Sequence, residues 1–287
     1  MARDVARDTL YRAPINLWVE DRLTLEYLSR IWNDPGIAYF VGGGNDGVRA
    51  LADDAADDGF SNVFGLTDRD FRPSNKSEWA NPRKTFRTFV LPAHEIENYL
   101  LDAPALAACR FNNRGLTADE IEERIRSAAA GFCWWAACRD VLAELKRRFR
   151  DGFVPDPPRT LSDATAAKAH ICKSPWFQKL AAESEKTDEA GIELLLKERH
   201  VEASNRLASG EWRIDFAGKE IFRDIGSRIF DRMKSPGYNP TPAAFDIDLA
   251  QEVADQQLKL KSIPQDLTDL HSALKARLER LISQASS

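Results

Sequence analysis

The first chemically informative feature of the sequence is a pair of aspartates, Asp68 and Asp70, that follows an apolar run over residues 63–67. A short β-branched and aromatic run that ends in polar residues predicts a buried strand leading into a loop. Both carboxylates are therefore expected at the carboxyl end of that strand, which is the edge where open α/β sheets bind ligands. Two hard oxygen donors at this spacing suit Mg²⁺ or Mn²⁺, although Asp-x-Asp is also common in surface turns, where aspartate accepts backbone hydrogen bonds.

Two other predicted strands also end in residues of chemical interest. Residues 15–19 are predicted to form the first strand, which Glu20 follows, and residues 37–41 form the second, which runs into the loop 42–44, three glycines. In a parallel sheet whose order changes around its first strand, Glu20 and the aspartate pair come from neighbouring strands and can meet at one ion. The glycine loop lacks the lysine of a P-loop and does not match a dinucleotide fingerprint, so a turn with positive φ accounts for it.

The elements around these strands alternate as in a parallel α/β sheet. Helices are predicted over residues 22–32 and 47–58, a polar loop over 72–84 and a fourth strand over 86–91. Further helices are predicted over residues 117–150, 162–171, 175–184, 189–208, 218–233, 242–260 and 266–284. We therefore expect an α/β domain over residues 1–115, a parallel sheet flanked by helices, followed by an all-helical domain over residues 116–287.

Composition narrows the class of protein. The chain has 287 residues and a formal net charge of -5, which argues against a sequence-blind coat for nucleic acid but does not exclude an enzyme that holds nucleic acid locally. The four cysteines show neither zinc-ligand spacing nor a disulfide pattern, and Cys133 and Cys138 are interpreted as core thiols. The sequence shows no signal peptide and no membrane span, so a soluble, cytoplasmic protein with no membrane partner is expected.

As a set, the motifs resemble the toprim fold. The motifs are Val19-Glu20, the glycine loop, Asp68-Arg69-Asp70 and Glu95-Ile96-Glu97-Asn98-Tyr99-Leu100, with a weaker echo in Phe216-Ala217-Gly218-Lys219-Glu220. Over residues 13–102 the chain is similar to the bacterial toprim-like proteins that include the nuclease subunit of the PARIS anti-phage system. OLD-family nucleases are more distantly similar.

The resemblance implies a metal-dependent endonuclease. It places Mg²⁺ or Mn²⁺ on Glu20, Asp68, Asp70 and Glu97. Glu95 and Glu97 share a face only if their segment is extended and not if it is helical, so Glu97 is ranked above Glu95 as a ligand. It further implies hydrolysis of phosphodiester bonds in DNA or RNA, with transfer RNA as a candidate target. The biological role that it implies is a toxic effector of antiviral defence that works beside a separate ATPase sensor; a homodimer is left open.

The chain departs from the family pattern after Glu20. Members often carry a glycine next and a second acid four residues after the glutamate, whereas Asp21 and Thr24 occupy these positions here. The change weakens a second metal site unless Asp21 substitutes for the missing ligand. Lys219 is also assigned to catalysis, because it would neutralise charge on the leaving group if the helical region folds over the sheet; an exposed lysine at a helix start is the alternative.

Two other functions remain open. A nucleotide-sugar transferase also uses Asp-x-Asp to bind a metal and a diphosphate, but it has no need of a glutamate at the end of the first strand. A catalytically inactive toprim module that only binds a partner is the second alternative, and Thr24 supports it. His94, close to the predicted site, is interpreted either as an acid or base or as a hydrogen-bond partner.

Overall fold

The computed structural model describes residues 10–70, 74–81, 86–149, 157–158, 160–183, 188–230 and 240–285. Its four-stranded parallel sheet is flanked by helices, and the predicted α/β class with many helices in the C-terminal region is confirmed. The strands are β1 Ile15–Val19, β2 Ile37–Val41, β3 Val63–Thr67 and β4 Thr88–Val90. The first three have the predicted bounds, whereas β4 is shorter than the predicted strand over residues 86–91.

The strand order is β2-β1-β3-β4, so β1 lies between β2 and β3. Its pairing with β2 runs from Ile15 opposite Ile37 to Val19 opposite Val41, and the pairing with β3 includes Trp18 opposite Gly65. The predicted change of order around the first strand is therefore confirmed. Because all pairs are parallel, the residues that follow β1 and β3 leave the sheet side by side at one edge.

Helices account for most of the remaining described chain. They are α1 Arg22–Trp32, α2 Asn45–Asp57, α3 Lys76–Trp79, α4 Ala103–Ala108, α5 Ala118–Ala130, α6 Cys133–Phe149, α7 Ala164–Cys172, α8 Pro175–Glu183, α9 Glu189–Ser209, α10 Trp212–Asp215, α11 Gly218–Phe230, α12 Pro242–Leu260 and α13 Gln265–Ala285, with a 3₁₀ helix at Ile96–Leu100. Within these described segments no helix is both long and apolar enough to cross a membrane.

Most predicted helices agree with the structure within two residues, and the exceptions have physical causes. The single helix predicted over residues 117–150 is two helices, because α5 ends at Gly131, a poor helix former. The short helices α3, α4 and α10 were not predicted. Of the predicted helix ends, residues 150, 184 and 231–233 lie outside the described residues.

The largest hydrophobic cluster joins the sheet to the C-terminal helices. Phe64 and Leu66 of β3 belong to the same cluster as Phe222 of α11 and Leu249 of α12. The predicted boundary at residue 115 stays a prediction, but this core crosses it. A second cluster joins α6 to α9, and Cys133 and Cys138 are buried thiols as predicted.

One buried hydrogen-bond chain fixes α12 against α1. The hydroxyl of Tyr27 donates to Oε1 of Gln257 at 2.7 Å, and the amide of Gln257 donates to the carbonyl oxygen of Tyr99 at 2.9 Å. Both Tyr27 and Gln257 are fully buried. The C-terminal helices therefore hold the 3₁₀ helix Ile96–Leu100, which contains both Tyr99 and Glu97.

Candidate functional site

The residues that follow β1 and β3 are joined by a direct hydrogen bond at the carboxyl edge of the sheet. The backbone N–H of Asp68 donates to Oε1 of Glu20 at 2.8 Å. On the other side of β1, the N–H groups of Gly42 and Gly43 donate to the carbonyl oxygens of Val19 and Glu20. Glu20 is thus held between the glycine loop and the aspartate pair.

The loop after β4 closes on the same point. The N–H of Ile96 donates to Oδ1 of Asp68 at 3.1 Å, and the carbonyl oxygen of His94 accepts from the N–H groups of Arg69 and Asp70 at 3.1 and 3.3 Å. These bonds bring the Glu95-x-Glu97 segment beside the aspartate pair. The sequence-predicted residues Glu20, Asp68, Asp70 and Glu97 therefore come together, although they are far apart in the chain.

Asp70 adopts an unusual backbone conformation. Its φ is 45°, in the left-handed region that few residues other than glycine enter. The side-chain amide of Asn45, the first residue of α2, reaches Oδ2 of Asp70 at 3.4 Å. The preceding glycines Gly43 and Gly44 have φ values of 78° and 116°, so the predicted positive-φ turn is confirmed, and it delivers Asn45 to the site.

The acidic side chains disfavour one another's charge. Burial, followed by the nearby charge of Glu95, raises the pKa of Glu97 to about 8. Burial raises the pKa of Glu20 to about 7, and the charges of Asp70 and Asp21 add to this effect. The hydrogen bond from the Asp68 backbone acts in the opposite direction and lowers the pKa. The pKa of Asp68 is also raised, by burial and then by Glu97 and Glu20. Raised pKa values in a buried acidic cluster are typical of functional sites.

Lys219 reaches this cluster from the helical region. Its backbone N–H, at the start of α11, donates to Oε2 of Glu95 at 2.7 Å. Its side-chain charge lowers the pKa values of Glu20, Glu95 and Glu97, opposing the effect of burial. The alternative interpretation of Lys219 was an exposed lysine at a helix start, but Lys219 is half-buried. The structure agrees with the interpretation in which the helical region folds over the sheet.

Close packing at Gly218 makes this approach specific. A Cβ atom at Gly218 would lie 2.4 Å from Oδ1 of Asn98 and 2.6 Å from its backbone nitrogen. The side chain of Asn98 is itself committed, since it accepts from the N–H of Glu95 at 2.9 Å and donates to the carbonyl oxygen of Phe216 at 3.0 Å. Only glycine allows α11 to start against the 3₁₀ helix in this way.

An ion-pair network anchors Arg69, the residue between Asp68 and Asp70. Arg69 forms an ion pair with Asp215 of α10, and Arg206 pairs with Asp215 at 3.0 Å and with Asp140 at 2.6 Å. The N–H of His94 donates to the carbonyl oxygen of Ile214 at 2.7 Å. The loops after β3 and β4 are thus both tied to α10.

His94 is a hydrogen-bond partner in this arrangement. It is 4% exposed, and its Nδ1 lies 3.2 Å from the carbonyl oxygen of Asp70, to which it donates. Burial and the nearby Arg139 and Arg69 lower the pKa of His94 well below its ordinary value. A neutral, enclosed imidazole stabilises the aspartate loop.

The donor set fits a hard divalent cation by chemistry. Glu20 and Asp68 each use one carboxylate oxygen for a backbone hydrogen bond, and neither forms an ion pair among the described residues. A divalent ion would offset both the burial of these charges, which is the main cause of their raised pKa values, and the repulsion between them. In the described part of the chain, no three acidic, histidine or cysteine side chains are already arranged as a ligand set. The carboxylates would therefore have to move closer together to bind the ion.

The structure also accounts for the departure at Asp21. Its Oδ1 accepts from the N–H of Thr24 at 2.9 Å, which makes Asp21 the N-cap of α1. Thr24 is buried. Asp21 therefore has a structural role at the position where the resemblance expects a glycine. Its charge also acts on the site, because it raises the pKa values of Glu20 and Glu97.

Sequence reasoning missed several residues that shape the site. Asn45, Asn98 and Gly218 were not assigned roles, and Glu95 was ranked only as a weaker ligand. The Glu95-x-Glu97-Asn98 and Gly218-Lys219 motifs contained the signal, but nothing in the sequence shows that these two segments touch.

No family model matches the chain, and no curated protein matches it either. The similarity to toprim proteins therefore rests on the quoted motifs alone.

Proposed function

We propose that the chain is a Mg²⁺- or Mn²⁺-dependent nuclease that hydrolyses phosphodiester bonds of RNA or DNA. The observation that carries the proposal is the convergence of Glu20, Asp68 and Glu97 at the carboxyl edge of the sheet, where burial, followed by repulsion from neighbouring carboxylates, raises their pKa values. Such a cluster is costly without a counter-ion, and a divalent cation is the simplest one.

Each residue has a task in this proposal. Glu20, Asp68, Asp70 and Glu97 hold the metal, which when bound lowers the pKa of the attacking water and stabilises the negative oxygens of the phosphoryl group. Glu95 receives the N–H of Lys219 and so fixes the start of α11. Lys219 contributes positive charge beside the carboxylates, where it would offset charge on the leaving oxygen.

The cellular role rests on the resemblance. As part of the proposal, the chain is a cytoplasmic, toxic effector of anti-phage defence whose activity is released by a separate ATPase sensor, and transfer RNA is a candidate substrate. A nuclease without restraint would harm its host, so we expect low activity from the isolated chain. The helical region beyond residue 116 offers surface for such a partner or for a second copy of the chain.

The test is a cleavage assay with plasmid, single-stranded DNA and total RNA, each with Mg²⁺, Mn²⁺ or chelator. We expect metal-dependent cleavage that Glu20→Gln reduces at least about 100-fold, because a directly bound ligand should matter more than an outer one. Glu123→Gln, an exposed glutamate of α5, is the matched control and should retain activity. Cleavage that persists in chelator, or equal cleavage by Glu20→Gln, contradicts the proposal.

A second candidate is a catalytically inactive module that binds a partner. It is favoured by the absence of a ready-made ligand set in the described segments and by the use of Asp21 as a helix cap. Metal binding separates the two candidates: the nuclease requires a Mg²⁺ or Mn²⁺ ion that the strand-end carboxylates bind, whereas the inactive module, which lacks a complete ligand set, is expected to bind none. The nucleotide-sugar transferase is less well supported, because it does not explain Glu20.

A further inference from the structure

Arg277 is a buried cation whose hydrogen-bonding capacity is largely unused. This residue of α13 is 1% exposed, and its guanidinium group lies 4.4 Å from the centre of the Phe86 ring. One nitrogen, Nη2, is 3.3 Å from the carbonyl oxygen of Trp79. Nε and Nη1 are buried and have no hydrogen-bond partner among the described residues. Buried donors in folded proteins are rarely left unsatisfied, so these two call for an explanation.

Two more arginines surround this group. Arg280 lies three residues further along α13, and its Nε and Nη2 are also buried with no partner in the part of the chain that the structure describes. Arg87 directly precedes β4 and uses Nη1 to donate to the carbonyl oxygen of Ser61 at 2.8 Å. Arg280 and Arg87 both keep part of their surface exposed, so the cluster extends from the interior to the surface.

The three arginines have no carboxylate partner within the described segments. Among the described residues no carboxylate forms an ion pair with Arg277, Arg280 or Arg87; the acidic group whose charge acts on Arg87 is the exposed Asp53 of α2. Burial and the charges of Arg280 and Arg87 lower the pKa of Arg277. An arginine does not lose its proton in a protein, so three like charges here carry a real electrostatic cost.

We propose that Arg277, Arg280 and Arg87 form a binding site for a phosphate group. Guanidinium groups bind phosphate through paired N–H donors, and the unused nitrogens of Arg277 and Arg280 supply such donors. A tetrahedral phosphate group carries one or two negative charges and has more acceptor oxygens than a carboxylate, so it can accept from several of these donors at once. Arg87 stands at the amino end of β4, whereas the acidic cluster follows the carboxyl ends of the strands, so this site is separate from the candidate metal site and independent of the proposed nuclease activity.

The test measures the melting temperature of the full chain in chelator as inorganic phosphate is added at constant ionic strength, with chloride as the reference salt. We expect a saturable rise with phosphate, and an apparent Kd at least about tenfold weaker in Arg280→Gln. Arg126→Gln, an exposed arginine of α5, should match the wild type. Arg280→Gln is the main variant because its side chain is partly exposed; Arg277→Met, which removes the buried charge, should abolish the response if it folds.

A rise that is the same with chloride, or the same in Arg280→Gln as in the wild type, overturns the proposal. A second arm identifies the source of the phosphate by fluorescence anisotropy with a short single-stranded oligonucleotide. If the site takes a phosphodiester of nucleic acid, Arg280→Gln weakens oligonucleotide binding and reduces its salt dependence by about one ion. If it takes a free phosphate or nucleotide, oligonucleotide binding is unchanged while the phosphate response is lost.

Discussion

Glu97 and Glu20 make the stability of the metal-free protein depend on pH. Their pKa values of about 8 and about 7 exceed the ordinary glutamate value of 4.5, so the folded state binds protons more tightly than the unfolded state. Their favourable contribution is fully present below 4.5 and is lost as the pH rises through 7 and 8. In chelator, we expect the melting temperature to fall over this range and Glu97→Gln to flatten the fall.

Thermal melts at a series of pH values, with Glu123→Gln as the control, check this expectation. Each titrating group contributes at most about 1.4 kcal/mol per pH unit to the slope, so the comparison between variants isolates the contribution of Glu97. A decline in Glu97→Gln as steep as in the wild type would show that this carboxyl group is not held protonated by the fold.

Gly218 is a position where adding one carbon atom is expected to disturb the site. The Cβ of Gly218→Ala would overlap Asn98, which positions Glu95, so we expect a loss of about 1–3 kcal/mol in the free energy of unfolding and a loss of cleavage. Gly226→Ala on the same helix is the control, because its Cβ would meet Phe245 at an ordinary 3.7 Å. Urea unfolding of both variants decides the matter; equal stability would mean that Gly218 has no special packing role.

At the scale of elements, the short helix α10 connects the aspartate loop to the helical region. Asp215 accepts from Arg69 and Arg206, and all three side chains are about four-fifths buried. Asp215→Asn leaves two buried cations with a weaker partner, and we expect it to destabilise the fold by about 2–4 kcal/mol. Asp255→Asn, which removes a more exposed pair with Arg30, should cost less than about 1 kcal/mol. Similar costs for the two variants, measured by urea unfolding, would argue against the anchoring role of α10.

The sequence predicted elements well where periodicity was long and strand ends were marked. The bounds of β1, β2, α1 and α12 were predicted from apolar patterns and caps alone. Helices of four to six residues are too short to show a helical period of apolar residues. The short helix α3 is held by Trp79, whose ring N–H donates to Oδ1 of Asn75. The break at Gly131 was missed because the apolar pattern continues on both sides of it.

The site was predictable only in part, for a physical reason. Strand-end acids such as Glu20 and Asp68 could be placed at one edge, because parallel topology brings strand ends together. The contact between Glu95 and Lys219 joins residues 124 positions apart. It depends on how α11 packs, which no local pattern encodes.

At the scale of the whole molecule, the sheet and the C-terminal helices share one core. The cluster that contains Phe64 also contains Phe222 of α11 and Leu249 of α12, and Tyr27 is hydrogen-bonded to Gln257 across this interface. This shared packing holds the start of α11 against the 3₁₀ helix that carries Glu97. The helical region thereby contributes Gly218 and Lys219 to a site whose carboxylates come from the α/β part.

The proposed function requires that the carboxylates at the sheet edge bind a divalent ion. The measurement is a set of thermal melts across Mg²⁺ and Mn²⁺ titrations of the wild type and of the double variant Asp68→Asn, Asp70→Asn. The matched control is Asp53→Asn, Asp54→Asn, on the exposed acidic face of α2.

Because the ions bind only the folded state, we expect a saturable rise in the melting temperature of the wild type and of the control. Mn²⁺ should act at lower concentration than Mg²⁺, since it tolerates looser geometry, and the rise should be absent in the Asp68, Asp70 variant. Equal rises in all three proteins would place the ions elsewhere and contradict the account.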